Sequence, residues 1–345
     1  MTSFVLERSE PRLLLCHLAF YGLAAILENA GHDDLRLSWT PGMAPRPVLS
    51  GEGLDPERLG QAVHEHATVR AAKGAWPSER AVVGGKPRGL MSPRLSTLID
   101  AEWEGFQARR HAVLDSLTAA GDGLDLRLIA ALGEPSYWRA NRKGERLQDD
   151  GASRLEMQPR NQGSEWVANR LHPIAQAVAD RTVDGVVAGL TGKATVDEVG
   201  ANRPDSRSAT GFGPPGPVDN AVVWCALWGI SQFPIAQRLA GAATTTGHVG
   251  RTGAGWFYLP VWTGSWRPAR LRTVLASKPL RQYAASGLPD ETAATAPLVA
   301  DPARLWLSAR SVSAVIRFPV RRFGSDSAPE RRAQLGEILH TGSRP

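Results

Sequence analysis

Apolar side chains fill almost every position from residue 13 to residue 27, and Gly31 follows shortly after Asn29. A run with no polar stripe predicts a buried helix over 13–29, with Gly31 at its C-terminal cap. Residues 35–39 alternate Leu35, Leu37 and Trp39 with Arg36 and Ser38 and predict a short strand. Asp55-Pro56-Glu57 is a helix start. The Asp side chain accepts from a first-turn N–H, and Pro occupies a position whose N–H has no partner. That helix runs to about Lys73, before Gly74. Ser92-Pro93 opens a second helical segment that continues past Glu102 to Leu117 and ends near Gly121.

The run 124–132 fits a strand or a buried helix equally, because short apolar stretches do not separate the two. Residues 139–151 form a polar loop or hairpin tip. Ser164 caps a helix through Glu165, Trp166, Val167 and Leu171, kinked or divided at Pro173. Asp219 starts the apolar element that ends at Ile230, residues 256–262 read as a strand, and Asp301-Pro302 opens a short helix. Over 311–323, Val312, Ala314, Ile316, Phe318 and Val320 alternate with Ser313, Arg317 and Arg321 in a strand. After Gly324 the sequence is polar and is expected to fray. Helix and strand signals interleave, which predicts an α+β fold of mixed helices and antiparallel sheet. One domain is expected over 1–324, with a helical insertion around 55–120 and a flexible tail over 325–345.

Residues 204–220 break this pattern. Gly211, Gly213 and Gly216 permit positive φ, while Pro214, Pro215 and Pro217 fix φ near the extended value. The prediction is a loop of defined shape docked on a buried element. Such loops carry binding residues, and they also serve as plain connections.

Composition narrows the function classes. The 345 residues are 42% hydrophobic and 21% charged, in the range of globular proteins. Lys and Arg total 40 against 34 Asp and Glu, a net charge of +6 that permits a polyanionic partner without requiring one. The basic residues are mostly Arg, which suits bidentate phosphate contacts, although a GC-rich coding sequence produces the same bias. Cys16 and Cys225 are the two cysteines, each inside an apolar run, and no Cys-x-x-Cys pair offers a thiolate zinc site. Residues 13–26 are too short and interrupted to span a bilayer, and no basic n-region precedes them. The expectation is a cytoplasmic protein without signal peptide or membrane partner.

No metalloprotease motif, nucleophile elbow or phosphate-cradling glycine loop occurs, and the eight histidines are scattered. His64 and His66, two apart on a helix, point to different faces. No catalytic residue, metal or cofactor is therefore assigned. Three clusters offer binding chemistry instead. The first holds Arg154, Arg160, Asn161, Gln162 and Arg170, where polar groups before a helix can read phosphates or base edges, or simply shape a turn. The second holds Arg203, Asp205 and Arg207, in which Asp205 orients the Arg207 guanidinium, either for a partner or as an internal staple. The third is Arg317-Phe318-Pro319-Val320-Arg321-Arg322-Phe323, a basic, stacking-capable surface or a protected sheet edge. Residues 301–345 hold eight Arg against four acids. Trp224, Trp228, Trp256, Trp262 and Trp266 fall in or near apolar elements, as core tryptophans do.

The segments 15–28, 154–170 and 204–234 together resemble the Csb group of CRISPR-associated proteins of type I-U (I-G) systems, in particular its third member. That resemblance implies a non-catalytic subunit of a type I CRISPR interference complex. It would bind crRNA or target DNA and neighbouring Cas subunits. It also implies a RAMP-like core (ferredoxin or RNA-recognition-like) with helical insertions. The sequence departs from the RAMP pattern in lacking a clear Gly-rich C-terminal loop, for which residues 241–255 are only a loose substitute. Two other readings stand beside it. One is a hydrolase or nuclease built from Asp205, Asp219 and His248 around loop 203–220. The other is a scaffold whose loop docks a partner subunit.

Overall fold

Strand β1 (Thr2–Val5) leads into helix α1 (Leu14–Asn29) in the computed structural model, which describes residues 2–94, 100–144, 147–157, 166–250, 255–286, 288, 296–324 and 330–342. Every α1 residue from Leu14 to Leu27 is buried, as an unbroken apolar run requires. The helix ends in a Schellman turn. Gly31 sits at φ +93°, its N–H donates to the Glu28 carbonyl, and the His32 N–H donates to the Leu27 carbonyl. Strands β2 (Arg36–Trp39) and β3 (Pro47–Gly51) join β1 in an antiparallel sheet of order β1-β3-β2. Helix α2 (Pro56–Ala71) starts where Asp55 accepts from the Arg58 N–H at 2.8 Å. A hairpin of β4 (Arg80–Val83) and β5 (Lys86–Gly89) precedes α3 (Asp100–Ala120) and α4 (Gly123–Leu132). A π-helical turn, Val167–Leu171, enters α5 (His172–Ala179), followed by α6 (Val183–Leu190) and α7 (Asn220–Gly229).

The C-terminal part holds β6 (Ile235–Ala236), β7 (Thr244–Thr245), β8 (His248–Val249), β9 (Gly255–Trp262), α8 (Pro268–Leu275), α9 (Lys278–Ala285) and α10 (Ala296–Ser308). They are followed by β10 (Val312–Phe323), β11 (Glu330–Ala333) and β12 (Glu337–His340). β10 is the spine of an antiparallel sheet. β9 covers one edge, while β12 pairs with Ala314–Arg317 and β11 with Val320–Phe323 on the other. This is an α+β fold built from helices and antiparallel sheets.

The core lies between α1, α7 and the β9–β10 sheet. Trp224, Trp228, Trp262 and Trp266 are fully buried, and Trp262 stacks on Trp266 at 4.2 Å. Leu37 and Trp266 exchange backbone hydrogen bonds of 2.7 and 2.9 Å, and the Trp262 Nε1–H donates to the Leu37 carbonyl at 3.0 Å, which ties β9 to β2. Helices α1 and α7 cross at backbone contact. A Cβ on Gly22 would strike the Cys225 carbonyl, and one on Gly229 would strike the Leu18 carbonyl.

The 124–132 run, open between strand and helix in the sequence, is a helix. Several expectations change. The 55–120 stretch is not purely helical, since it contains the β4–β5 hairpin. α10 begins at Ala296, upstream of Asp301-Pro302, and holds Pro302 within it. Within the tail 325–345, expected to fray, the described residues 330–342 include β11 and β12. These strands are held by distant backbone: the Ala333 N–H donates to the Gly211 carbonyl at 2.8 Å, and the Gly336 N–H to the Arg12 carbonyl at 2.8 Å. Ser164 and Glu165, expected to start a helix, lie outside the described residues.

Candidate nucleic-acid interface

Two buried aspartates shape the Gly/Pro loop. Asp197, fully buried, accepts from the Gly200 N–H (2.8 Å), Ser206 Oγ (2.5 Å), Ser208 Oγ (2.9 Å) and Asn220 Nδ2 (3.0 Å). Asp219 caps α7 through the Ala221 N–H, accepts from the Val196 N–H, and pairs with Arg181 at 2.8 Å. These two carboxylates collect seven donors from the loop and its flanks, which holds the loop in one shape. The sequence pattern located this rigidity in glycine and proline; the central carboxylate, Asp197, escaped it.

The ordered loop packs on β11. The Ala333 N–H donates to the Gly211 carbonyl at 2.8 Å, and the Arg207 guanidinium pairs with Glu330 at 3.1 Å. Asp205 is therefore not the orienting partner of Arg207: Asp205 is exposed, and Glu330, far off in the chain, takes that role. Glu330 also accepts a bidentate pair from Arg332 at 2.6 and 3.0 Å. Burial pushes the Glu330 carboxyl up, but the Arg332 bonds and the charges of Arg332, Arg207 and Arg170 outweigh it and hold the carboxyl below its usual range. Arg170 is half-buried nearby, and its guanidinium is shifted down by burial and by the charge of Arg207. Arg203 is exposed on the same loop.

The β10–β11 hairpin adds four arginines in register. Arg321 lies opposite Arg332, and Arg322 opposite Arg331. Arg321 and Arg322 are exposed, and the Arg332 guanidinium lies 5.0 Å from the Phe323 ring centroid. Arg317 departs from the expectation of a binding residue. Its guanidinium pairs with Glu337 at 3.1 Å, donates to the Ser286 carbonyl and lies over Trp256, with 12% of the side chain exposed. It fastens β10 to β12 and α9 instead. Arg160, Asn161 and Gln162 lie outside the described residues.

Arg154 occupies a different surrounding. It is buried, its N–H donates to Thr245 Oγ1 at 2.9 Å, and with Arg238, Arg281 and His248 it lines a cavity of about 280 Å³. His248 is pushed down to about 3, by burial first and then by the charges of Arg154, Arg331 and Arg281. Its imidazole is therefore neutral near pH 7. Arg331 connects this cavity to the hairpin. No spacing along the chain unites Arg154, Arg238, His248 and Arg281. The tandem Arg321-Arg322 and Arg331-Arg332 pairs flanking Gly324 were a readable sign of the hairpin.

The trio Asp205, Asp219 and His248 does not assemble as one site. Asp219 is committed to the helix cap and Arg181, Asp205 is exposed, and neither aspartate lines the His248 cavity. Among the described residues no group of three His, Cys, Asp or Glu is placed to hold a metal ion, and no helix is long and apolar enough to cross a membrane. No family model matches the chain, and no curated protein is similar to it.

Proposed function

We propose that the chain binds a nucleic-acid backbone through the arginine face formed by the β10–β11 hairpin and the adjoining loop. The observation that carries this reading is the register of the hairpin. Like charges directly opposite on neighbouring strands destabilise a sheet, yet here Arg321 stands opposite Arg332 on one side of the hairpin and Arg322 opposite Arg331 on the other, with Glu330 offsetting the charge of Arg332. A polyanion following the hairpin edge adds attraction to both exposed arginines of β10 and releases counterions. Arg207 and Arg203 extend the face along the loop, and the fixed loop geometry spares the ordering cost on binding.

The wider setting rests on the sequence resemblance in 15–28, 154–170 and 204–234. In this reading the protein is a cytoplasmic, non-catalytic subunit of a type I CRISPR interference complex. It has a RAMP-like core and contacts crRNA or target DNA beside neighbouring Cas subunits. Co-purification with the products of adjacent genes, followed by extraction and sequencing of bound RNA, tests it. Recovery of a repeat-derived RNA with Cas partners supports the assignment. A monomer free of nucleic acid after co-expression with those neighbours contradicts it.

A further inference from the structure

The cavity beside the hairpin has a chemistry of its own. Arg238 comes from the segment between β6 and β7, Arg281 from α9, His248 from β8, and Arg154 from the segment before the π-helical turn. Thr244 and Thr245 add hydroxyls, and no carboxylate lines the cavity among the described residues. Arg238 and Arg281 are exposed at its mouth, whereas Arg154 is buried at 6%. The His248 ring packs edge-on against Phe257 at 5.0 Å and makes no hydrogen bond among the described residues. Gly255 makes room for it, since a Cβ there would come within 2.7 Å of His248 Nε2.

We propose, resting on the nucleic-acid reading above, that this cavity is a phosphomonoester site that seats the terminal phosphate of a strand lying on the arginine face. Charge separates this from an internal backbone contact. A phosphodiester carries one negative charge, whereas a phosphomonoester carries about −1.5 to −2 at neutral pH. Three arginines lining one cavity match the dianion better than the diester, and planar guanidinium forks suit its oxygens. The His248 imidazole supplies one further N–H. Size agrees: at about 280 Å³ the cavity lies just below the roughly 300–1,000 Å³ of small-molecule sites. A phosphate with its sugar fits that space, and a duplex does not enter it. Position agrees as well, because the charge of Arg331, in the hairpin, acts on His248.

The test uses internally labelled single-stranded RNA of one sequence in three forms: 5′-phosphorylated, 3′-phosphorylated, and with hydroxyls at both ends. Each is titrated against the full chain and the Arg238→Gln/Arg281→Gln variant, with uridine monophosphate followed separately by phosphorus NMR. One phosphorylated end is expected to bind about tenfold tighter than the hydroxyl-ended strand. The double variant erases that preference while keeping the weaker hydroxyl-ended binding and the wild-type melting temperature. Equal affinity for all three strands, or a preference that survives in the variant, overturns the site. If no strand binds even at low salt, the face reading fails. Uridine monophosphate binding that is lost in the variant would then keep the cavity as a site for free nucleotide, and its absence would overturn the cavity too.

Discussion

Arg207 in the Gly/Pro loop and Glu330 in β11 are joined by a 3.1 Å ion pair, although 55% of the Arg207 side chain stays exposed. An exposed pair of this kind contributes about 0–1 kcal/mol. Arg207→Ala is therefore expected to lower stability by less than about 1 kcal/mol. It should weaken RNA binding and reduce the salt slope by about 0.7, the share of one phosphate contact on a single strand. Urea unfolding and a binding titration on the same purified variant check both. A large loss of stability with unchanged binding would make Arg207 a staple.

Asp197 gives the opposite result. It is buried and accepts from Gly200, Ser206, Ser208 and Asn220. Each buried donor left without an acceptor costs about 1–3 kcal/mol. Asp197→Ala should cost about 3 kcal/mol or more and speed amide exchange across 197–217, with binding weakened through loss of loop shape. Hydrogen exchange and urea midpoints measure these effects.

The α1–α7 crossing fixes the sign of two substitutions. In an exposed helix, Gly→Ala gains about 0.8–1.0 kcal/mol from propensity. At Gly22 and Gly229 the new Cβ meets backbone carbonyls of the facing helix, which cannot rotate aside. Gly22→Ala and Gly229→Ala should each destabilise by about 3 kcal/mol, the upper end of overpacking losses. Denaturant midpoints on the two variants decide it.

Stability should fall in mild acid. His17 is fully buried, and burial pushes its imidazole down to about 4, partly opposed by its 2.7 Å bond to the Pro11 carbonyl. Above about pH 6.5 it is neutral in both folded and unfolded chains, so its contribution is complete. Below that, the unfolded chain takes up a proton that the folded chain refuses until about pH 4. The loss at pH 5 relative to pH 7.5 is about 2 kcal/mol from His17. His66, pushed well down by burial and then by Arg70, adds in the same direction. His17→Gln should remove its share of the pH dependence in urea unfolding at the two pH values.

Much of the framework was legible in local pattern. Helix α1, the Asp55 cap, the Asp219 start of α7 and the alternation along β10 all follow from neighbouring residues. Strands β11 and β12 were not legible, because their order derives from β10, Gly211 and Arg12, far away in the chain. The site divides in the same way. Arg207, Arg321 and Arg322 stood out as loop or strand arginines. Their structural context did not, because Glu330, Arg332 and the Arg154–Arg238–Arg281 cavity are brought together by tertiary packing. Arg317 misled because a strand alternation cannot tell an exposed arginine from one locked by Glu337 and Trp256.

The salt dependence of RNA binding tests the arginine face most directly. Fluorescence anisotropy with single-stranded RNA across a series of salt concentrations gives the slope of log K against log salt. Contacts from the exposed Arg203, Arg207, Arg321 and Arg322 predict a slope near about −3, and Arg321→Ala/Arg322→Ala should reduce its magnitude by about 1.4. A slope near zero, or one left unchanged in a fully folded double variant, would contradict the account.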